Sequence, residues 1–162
     1  MKSNFDKIRV YTHGIAYEGR GAYSYIVLEN RDCGEVAIAS GHGRLLAPTS
    51  LKAKFAQGGK ADDEMRMKMR AVYEGLRHCP DGSPVEVFTD SALVKRSLDT
   101  TEEGENNFDI ASRYRDYAAA HGIEPTFSIS TLQIVDDLPD NDHDEWLWLA
   151  GQMCLEKMKE PC

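Results

Sequence analysis

The chain has 162 residues, 41% of them hydrophobic, with no shift in composition along its length, so a single globular domain over residues 1–162 is expected. The 27 Asp and Glu residues outnumber the 19 Lys and Arg residues, and the resulting net charge of -8 opposes nonspecific attraction of nucleic acid over the whole surface. No apolar run suits a signal peptide or a membrane span, and the four cysteines lack CxxC spacing, so we expect a cytoplasmic protein with reduced thiols, without zinc or a disulfide framework.

The first forty residues predict an antiparallel meander of three strands, separated by glycine-containing turns. The predicted strands cover residues 8–12, 22–29 and 35–40. The first strand should end at His13 and Gly14. Residues 41–60 then predict a loop, which is longer than most connections and therefore functional or disordered.

A helix follows, in which Met65, Met69, Val72 and Leu76 recur at helical spacing and form one apolar stripe. Asp62 or Asp63 can cap its start. Methionines at this spacing indicate packing on a sheet rather than a binding surface. Glu64 lies at the edge of the buried face in the first turn, where a carboxylate can point past the end of the sheet.

Residues 85–98 predict a short buried strand that turns at once into a helix. Asp90 stands at the carboxyl end of this strand, where α/β sheets usually carry their chemistry. The simpler interpretation is that Asp90 or Ser91 only caps the helix that follows. The neighbouring residues must decide between the two.

The rest of the chain predicts a helix, an edge strand and a final helix. Apolar residues between 110 and 118 predict the helix that follows, and Gly122 ends it. Phe127 and Ile129 alternate with serines in a strand that Pro125 favours at the sheet edge. The last helix covers residues 144–158, and its expected inward side chains are those of Trp146, Leu149, Ala150 and Met153.

This order of elements, with four short motifs, resembles the ribonuclease H family over nearly the whole chain. The motifs are Thr-His-Gly at 12–14, EMRMKMRAVYEGL at 64–76, FTDS at 88–91 and PDNDHDE at 139–145. The resemblance implies an α/β fold with a five-stranded mixed sheet, whose first three strands are antiparallel, flanked by helices. A transposase or exonuclease relative sharing this core is a further alternative.

In that family four carboxylates hold two divalent metals against the scissile phosphate. The resemblance assigns Asp90 to one ligand position. It assigns Glu64 to a second, with Met65 as the alternative from a gapless count. It assigns Glu145 to a third, with Asp144 as the alternative one step earlier. The implied cofactor is Mg²⁺ or Mn²⁺, as one or two ions.

The first strand departs from the family, because His13 stands where the family's Thr-Asp-Gly has the Asp that bridges both metals. A neutral imidazole offers one lone pair and cannot bridge two ions. If His13 is a ligand, it is a modified one. Otherwise it is a strand-end histidine satisfied by neighbouring acids. The family's loop histidine is also missing from residues 132–137.

Two functions follow from these residues. The first is metal-dependent hydrolysis of RNA in RNA–DNA hybrids, or of a related nucleic acid, by a ribonuclease H-like enzyme with a degenerate first ligand. The alternative is a catalytically inactive module that binds nucleic acid or a protein. Given the net charge, nucleic acid should contact a local basic set, which we expect to be Arg20, Lys52, Lys54 and Lys60.

Overall fold

Five strands form one mixed sheet in the order β3-β2-β1-β4-β5. The computed structural model describes residues 7–17, 20–31, 34–46, 64–102, 107–129 and 142–159. The strands are β1 (Ile8–Tyr17), β2 (Arg20–Arg31), β3 (Gly34–Leu46), β4 (Val85–Thr89) and β5 (Thr126–Ile129). β1, β2 and β3 pair antiparallel, whereas β4 runs parallel to β1 and β5 parallel to β4. The predicted five-stranded mixed sheet is confirmed, with β5 at its edge.

Within the described ranges, four helices accompany the sheet. They are α1 (residues 64–76), α2 (Leu93–Leu98), α3 (Phe108–Ala120) and α4 (Asp142–Lys159). The predicted stripe of α1 faces the core, since Met69, Val72 and Leu76 are fully buried and Met65 is partly buried against them. Each fully buried side chain of this size contributes about 1.5–3 kcal/mol relative to an exposed one. α2 and α3 add to the same core through Val94, Leu98, Ile110, Ala111, Tyr114 and Ala118.

A second, smaller core joins the sheet to α4. Tyr11 and Phe88 stack with their ring centroids 4.5 Å apart, and Ala150 of α4 packs against them. The Cys154 thiol donates to the carbonyl of Ala22 at 3.0 Å. The prediction that Leu149 faces inward is wrong, because this residue is 40% exposed, whereas Ala150 is fully buried. None of the helices in the described ranges is long and apolar enough to cross a membrane.

Strand β1 does not end at His13 and Gly14, as the sequence predicted, but continues through them to Tyr17. His13 pairs with Ser24 of β2 and Gly14 with Tyr23. The glycine therefore marks a close approach between two backbones and not a turn. A Cβ atom at Gly14 would lie 2.4 Å from the backbone nitrogen of Lys68 in α1.

β3 is also longer than predicted and reaches Leu46, so the first residues of the predicted loop 41–60 belong to the sheet. β2 likewise extends the predicted strand at both ends, because it pairs with β1 and β3 along its length. The remaining residues of the predicted loop, from 47 on, lie outside the described ranges.

Gly14→Ala should lower the free energy of unfolding by about 2 kcal/mol or more, because the added methyl group meets backbone atoms that cannot move without displacing α1. Chemical denaturation measures the loss. Gly41→Ala is the matched control, since its added Cβ would meet only the end of the Tyr25 ring, which can rotate. Equal losses in the two variants would contradict a special constraint at Gly14.

Candidate functional site

Asp90 follows β4 directly, at the carboxyl end of the strand. Because β1 runs parallel to β4 and pairs Tyr11 with Phe88, the next residues of β1 lie beside the end of β4. The Thr12 hydroxyl donates to the carbonyl of Phe88 at 2.9 Å and fixes this alignment. His13 thus comes next to Asp90, with its Nδ1 3.6 Å from Oδ2 of the carboxylate.

Lys68 of α1 lies beside Asp90, and we call Lys68, His13 and Asp90 together the strand-end corner. Lys68 is a cation, whereas the sequence predicted metal ligands at this place. Its ammonium donates to Asp90 Oδ1 at 2.9 Å and to the carbonyl oxygen of Gly14 at 3.1 Å. Oε2 of Glu64, one helical turn earlier, lies 3.9 Å from the same nitrogen. Only 7% of Lys68 is exposed. A buried ammonium is stable only when it is paired and hydrogen-bonded, and both conditions are met here.

Asp90 is therefore not the helix cap that the simpler interpretation made it. α2 begins after Ala92, which makes no side-chain cap hydrogen bond. The hydroxyl of Ser91 accepts a bond from the backbone N–H of Leu93 at 3.3 Å. The Asp90 carboxylate instead accepts a hydrogen bond from Lys68 and lies beside His13, so its negative charge is paired with the Lys68 ammonium.

His13 is buried and neutral at pH 7. Burial lowers the pKa of its imidazole from 6.5 to about 4; the nearby Asp90 carboxylate opposes this effect, and the Lys68 ammonium adds to it. Nδ1 has no hydrogen-bond partner among the described residues, since Asp90 stands just beyond bonding distance. The expectation of a strand-end histidine satisfied by acids is thus met only in part: the acid is adjacent, but the position lies within β1.

Of the two residues proposed for the first-helix ligand, neither is the one that reaches Asp90. Glu64 points toward Lys68 with 39% of its side chain exposed, and Met65 packs partly against the larger core. Lys68 was not among the site residues predicted from the sequence. The signal in the sequence was its i,i+4 spacing from Glu64, which on a helix brings an acid and a base side by side. That spacing does not indicate Asp90, which comes from another part of the chain.

The other predicted site residues remain predictions. Glu145 and Asp144 lie in α4, but their side chains are outside those described. Arg20 is the first residue of β2, and its side chain is likewise not described. Lys52, Lys54 and Lys60 fall outside the described residues.

An open pocket of about 590 Å³ lies over this corner, between α1 and α2. Its polar and charged lining consists of Glu64, Lys68, Asp90, Ser91, Arg96 and Ser97. Two carboxylates are thus matched by two cations, and two hydroxyl groups add neutral donors. The described lining carries no excess of negative charge, which distinguishes it from the protein as a whole.

The divalent metal that the resemblance implies does not fit these donors as they stand. The position against Asp90 Oδ1 is taken by the Lys68 ammonium, and a second cation placed there would be repelled by it. His13 offers a nitrogen, which Mg²⁺ accepts poorly. Among the described residues, no three His, Cys, Asp or Glu side chains come together as a metal-binding group. In this arrangement the Lys68 ammonium balances the charge of the Asp90 carboxylate.

Comparison with known proteins supports the architecture. No family model matches the sequence, and no curated protein matches it. Among solved structures, RNase H1 from the halophilic archaeon Halobacterium salinarum is 12% identical, with a TM-score of 0.60 over 96% of this chain and 99% of that one. The N-terminal RNase H domain of a Mycobacterium tuberculosis protein is 11% identical, with a TM-score of 0.57 over 94% of this chain and 99% of that one. LC11-RNase H1, isolated from compost by a metagenomic approach, is 18% identical, with a TM-score of 0.53 over 94% of this chain and 95% of that one. The chain therefore has the ribonuclease H-like fold.

The lowered pKa of His13 predicts a loss of stability on mild acidification. As the pH falls from 6.5 to about 4, His13 becomes protonated in the unfolded chain but stays neutral in the folded chain. The free energy of unfolding should fall by about 3 kcal/mol across this window from this group. Urea denaturation of the parent and of His13→Asn measures it, because the variant lacks the titrating imidazole. The stability difference between them should shift against the parent as the pH falls; a constant difference would contradict the prediction.

Proposed function

We propose that this chain is a ribonuclease H-fold module that binds nucleic acid without cutting it. The observation that carries the proposal is the ion pair between Lys68 and Asp90, the residue that the resemblance assigns to a metal-ligand position. The comparisons support the fold alone, and we infer the inactive, nucleic-acid-binding role from the charges around Asp90.

The ion pair argues against metal-assisted hydrolysis. Metal-assisted phosphodiester cleavage depends on carboxylates that are free to coordinate ions and so to stabilise developing negative charge. Asp90 is already engaged by an ammonium at 2.9 Å, and His13 is a buried neutral imidazole. An enzyme using this corner would first have to break a hydrogen-bonded pair in which Lys68 is almost fully buried.

The same charge balance favours binding of a phosphate backbone. A cluster of uncompensated carboxylates repels phosphate, but in this pocket two cations match the two acids. Arg96 is exposed and makes no ion pair with any residue that the structure describes, so its guanidinium is available for a phosphate oxygen. Ser91 and Ser97 supply hydroxyl donors beside it. With a net charge of -8 on the chain, binding should be weak and sensitive to salt.

Metal-dependent hydrolysis of RNA in an RNA–DNA hybrid is the second candidate function. The position of Asp90 at the carboxyl end of β4 favours it, since that is where this fold class places its chemistry. Glu145 and Asp144 are the α4 residues that would complement Asp90 in such an enzyme, which would require Mg²⁺ or Mn²⁺.

Titration of a fluorescent RNA–DNA hybrid at low salt tests the binding. Arg96→Gln should weaken the affinity severalfold and reduce the slope of log affinity against log salt by about one, as expected for one lost phosphate contact. Lys95→Gln is the matched control, because Lys95 is the neighbouring cation and is paired with Asp99 outside the pocket lining. A combined Lys52→Glu and Lys54→Glu variant tests the basic stretch predicted from the sequence.

Incubation of the same hybrid with the parent protein and Mg²⁺ or Mn²⁺ separates the two candidates. An intact hybrid with measurable binding supports the module. Cleavage that Asp90→Asn abolishes would establish the enzyme instead. Affinity that does not respond to salt, or no binding to hybrid, duplex or single strand, would point to a protein partner.

A further inference from the structure

Aromatic rings and arginine side chains lie together along α1 and the part of β2 next to it. Tyr23 and Tyr25 are two residues apart in β2 and share the sheet face on which α1 lies. All the residues of this set are half-buried or exposed, and none lines the pocket over the strand-end corner. We call the set the aromatic–arginine surface; its members are Tyr23, Tyr25, Arg70, Tyr73, Arg77 and His78.

The two arginines of this surface lie against tyrosine rings. The guanidinium of Arg70 is 5.6 Å from the ring centroid of Tyr23, and the guanidinium of Arg77 is 5.7 Å from that of Tyr73. Both distances fall within the roughly 6 Å over which a cation is attracted to the face of an aromatic ring. Planar groups of these two kinds, aromatic rings and guanidiniums, are the groups on which unpaired nucleobases stack.

His78 is the most accessible ring of the surface. It follows α1 directly and is exposed, whereas Tyr25 below it is half-buried. The two rings stack with their centroids 5.3 Å apart, and Nε2 of His78 lies 3.0 Å from the hydroxyl oxygen of Tyr25. The stacking and the polar contact together hold the His78 ring in one orientation, so it offers a positioned platform to a ligand.

The charge of the surface is positive toward the solvent. The Glu74 carboxylate accepts hydrogen bonds from Nε of Arg70 at 2.7 Å and from Nη1 of Arg77 at 3.2 Å. Only 14% of the Glu74 side chain is exposed, against 26% for Arg70 and 51% for Arg77. Two guanidiniums therefore share one carboxylate that lies beneath them. On a chain with a net charge of -8, such a place can attract the phosphates of a polyanion.

We propose that the aromatic–arginine surface binds a single strand of nucleic acid, whose bases stack on the rings and whose phosphates contact the guanidiniums. Stacking of this kind needs base faces that are free, and a duplex hides them. The phosphate contact at Arg96 in the pocket carries no such preference for single strands. The inference rests on the proposed function only in that both sites take nucleic acid.

Fluorescence anisotropy with labelled oligothymidylate and oligouridylate at low salt tests the proposal. The parent should bind at least one of the two strands, with an affinity that falls as salt is added. The tighter of the two identifies the preferred strand as DNA or RNA, since the 2′-hydroxyl distinguishes them. A parent that binds neither strand overturns the proposal.

Replacement of His78 tests the stacking. His78→Ala removes the exposed ring, and the affinity for the single strand should fall about fivefold or more. His78→Phe is the matched control, because it also loses the polar contact with Tyr25 but keeps an aromatic platform, and it should bind nearly as the parent does. Equal affinities of His78→Ala and His78→Phe would overturn the stacking role.

Replacement of Arg77 tests the phosphate contact. Arg77→Gln should reduce the slope of log affinity against log salt by about 0.7, as expected for one phosphate contact with a single strand. Lys95→Gln removes the same charge from α2, where Lys95 pairs with Asp99, and should leave the slope unchanged. If the network only fastens β2 to α1, Arg77→Gln lowers the melting temperature and leaves the slope as it is, which overturns the proposal.

These results are separable from those on the hybrid. A parent that binds the RNA–DNA hybrid but neither single strand overturns this surface and leaves the binding module standing. Single-strand binding that depends on His78 and Arg77, without any binding of the hybrid, supports the surface and overturns the pocket as a hybrid site. Binding of a proline-rich peptide in place of both strands overturns the proposal, because aromatic grooves also take such peptides.

Discussion

The contact of β1 with α1 at Gly14 is the constraint on which the rest of the corner depends. The backbone of α1 at Met67 and Lys68 comes so near that a Cβ atom on residue 14 would lie 2.4–2.9 Å from its atoms. This approach sets the distance that the lysine stem must span to reach the end of β4. With a larger residue at position 14, α1 would stand further out and the ammonium could not bond to both the Gly14 carbonyl and Asp90. Steric exclusion at one glycine thereby determines the electrostatics of the site.

The electrostatics are consistent with this packing. Two cations within one buried corner would repel each other strongly, because the local dielectric constant is low. Burial and the neighbouring ammonium both keep His13 neutral, so Lys68 remains the cation that Asp90 faces there. A neutral histidine at position 13 can therefore lie near Lys68, whereas a lysine or arginine there would repel it. The two departures from a carboxylate-rich site, at positions 13 and 68, support each other.

Most of the fold could be predicted from hydrophobic periodicity. The sequence predicted β4, the apolar stripe of α1 and the helix α3, because each buries a regularly spaced set of side chains. It also predicted the end of α3 at Gly122, whose φ is 65°. The chemistry of the corner was less accessible. Gly14 predicts a turn when only its neighbours in sequence are considered, and its true role depends on a helix more than fifty residues away. Asp90 is a plausible cap on local grounds, but its partner Lys68 comes from another element. Long-range contacts of this kind leave no periodic trace in the sequence.

Pairing of Asp90 with Lys68 differs from binding of a metal ion in its dependence on the surrounding solution. A metal ion occupies a carboxylate site by mass action, so the fraction of sites that are filled follows the concentration of the free ion. An ammonium on the same polypeptide is present once for every Asp90 and cannot diffuse away. The ion pair that Lys68 makes with Asp90 therefore does not depend on the concentration of any free ion.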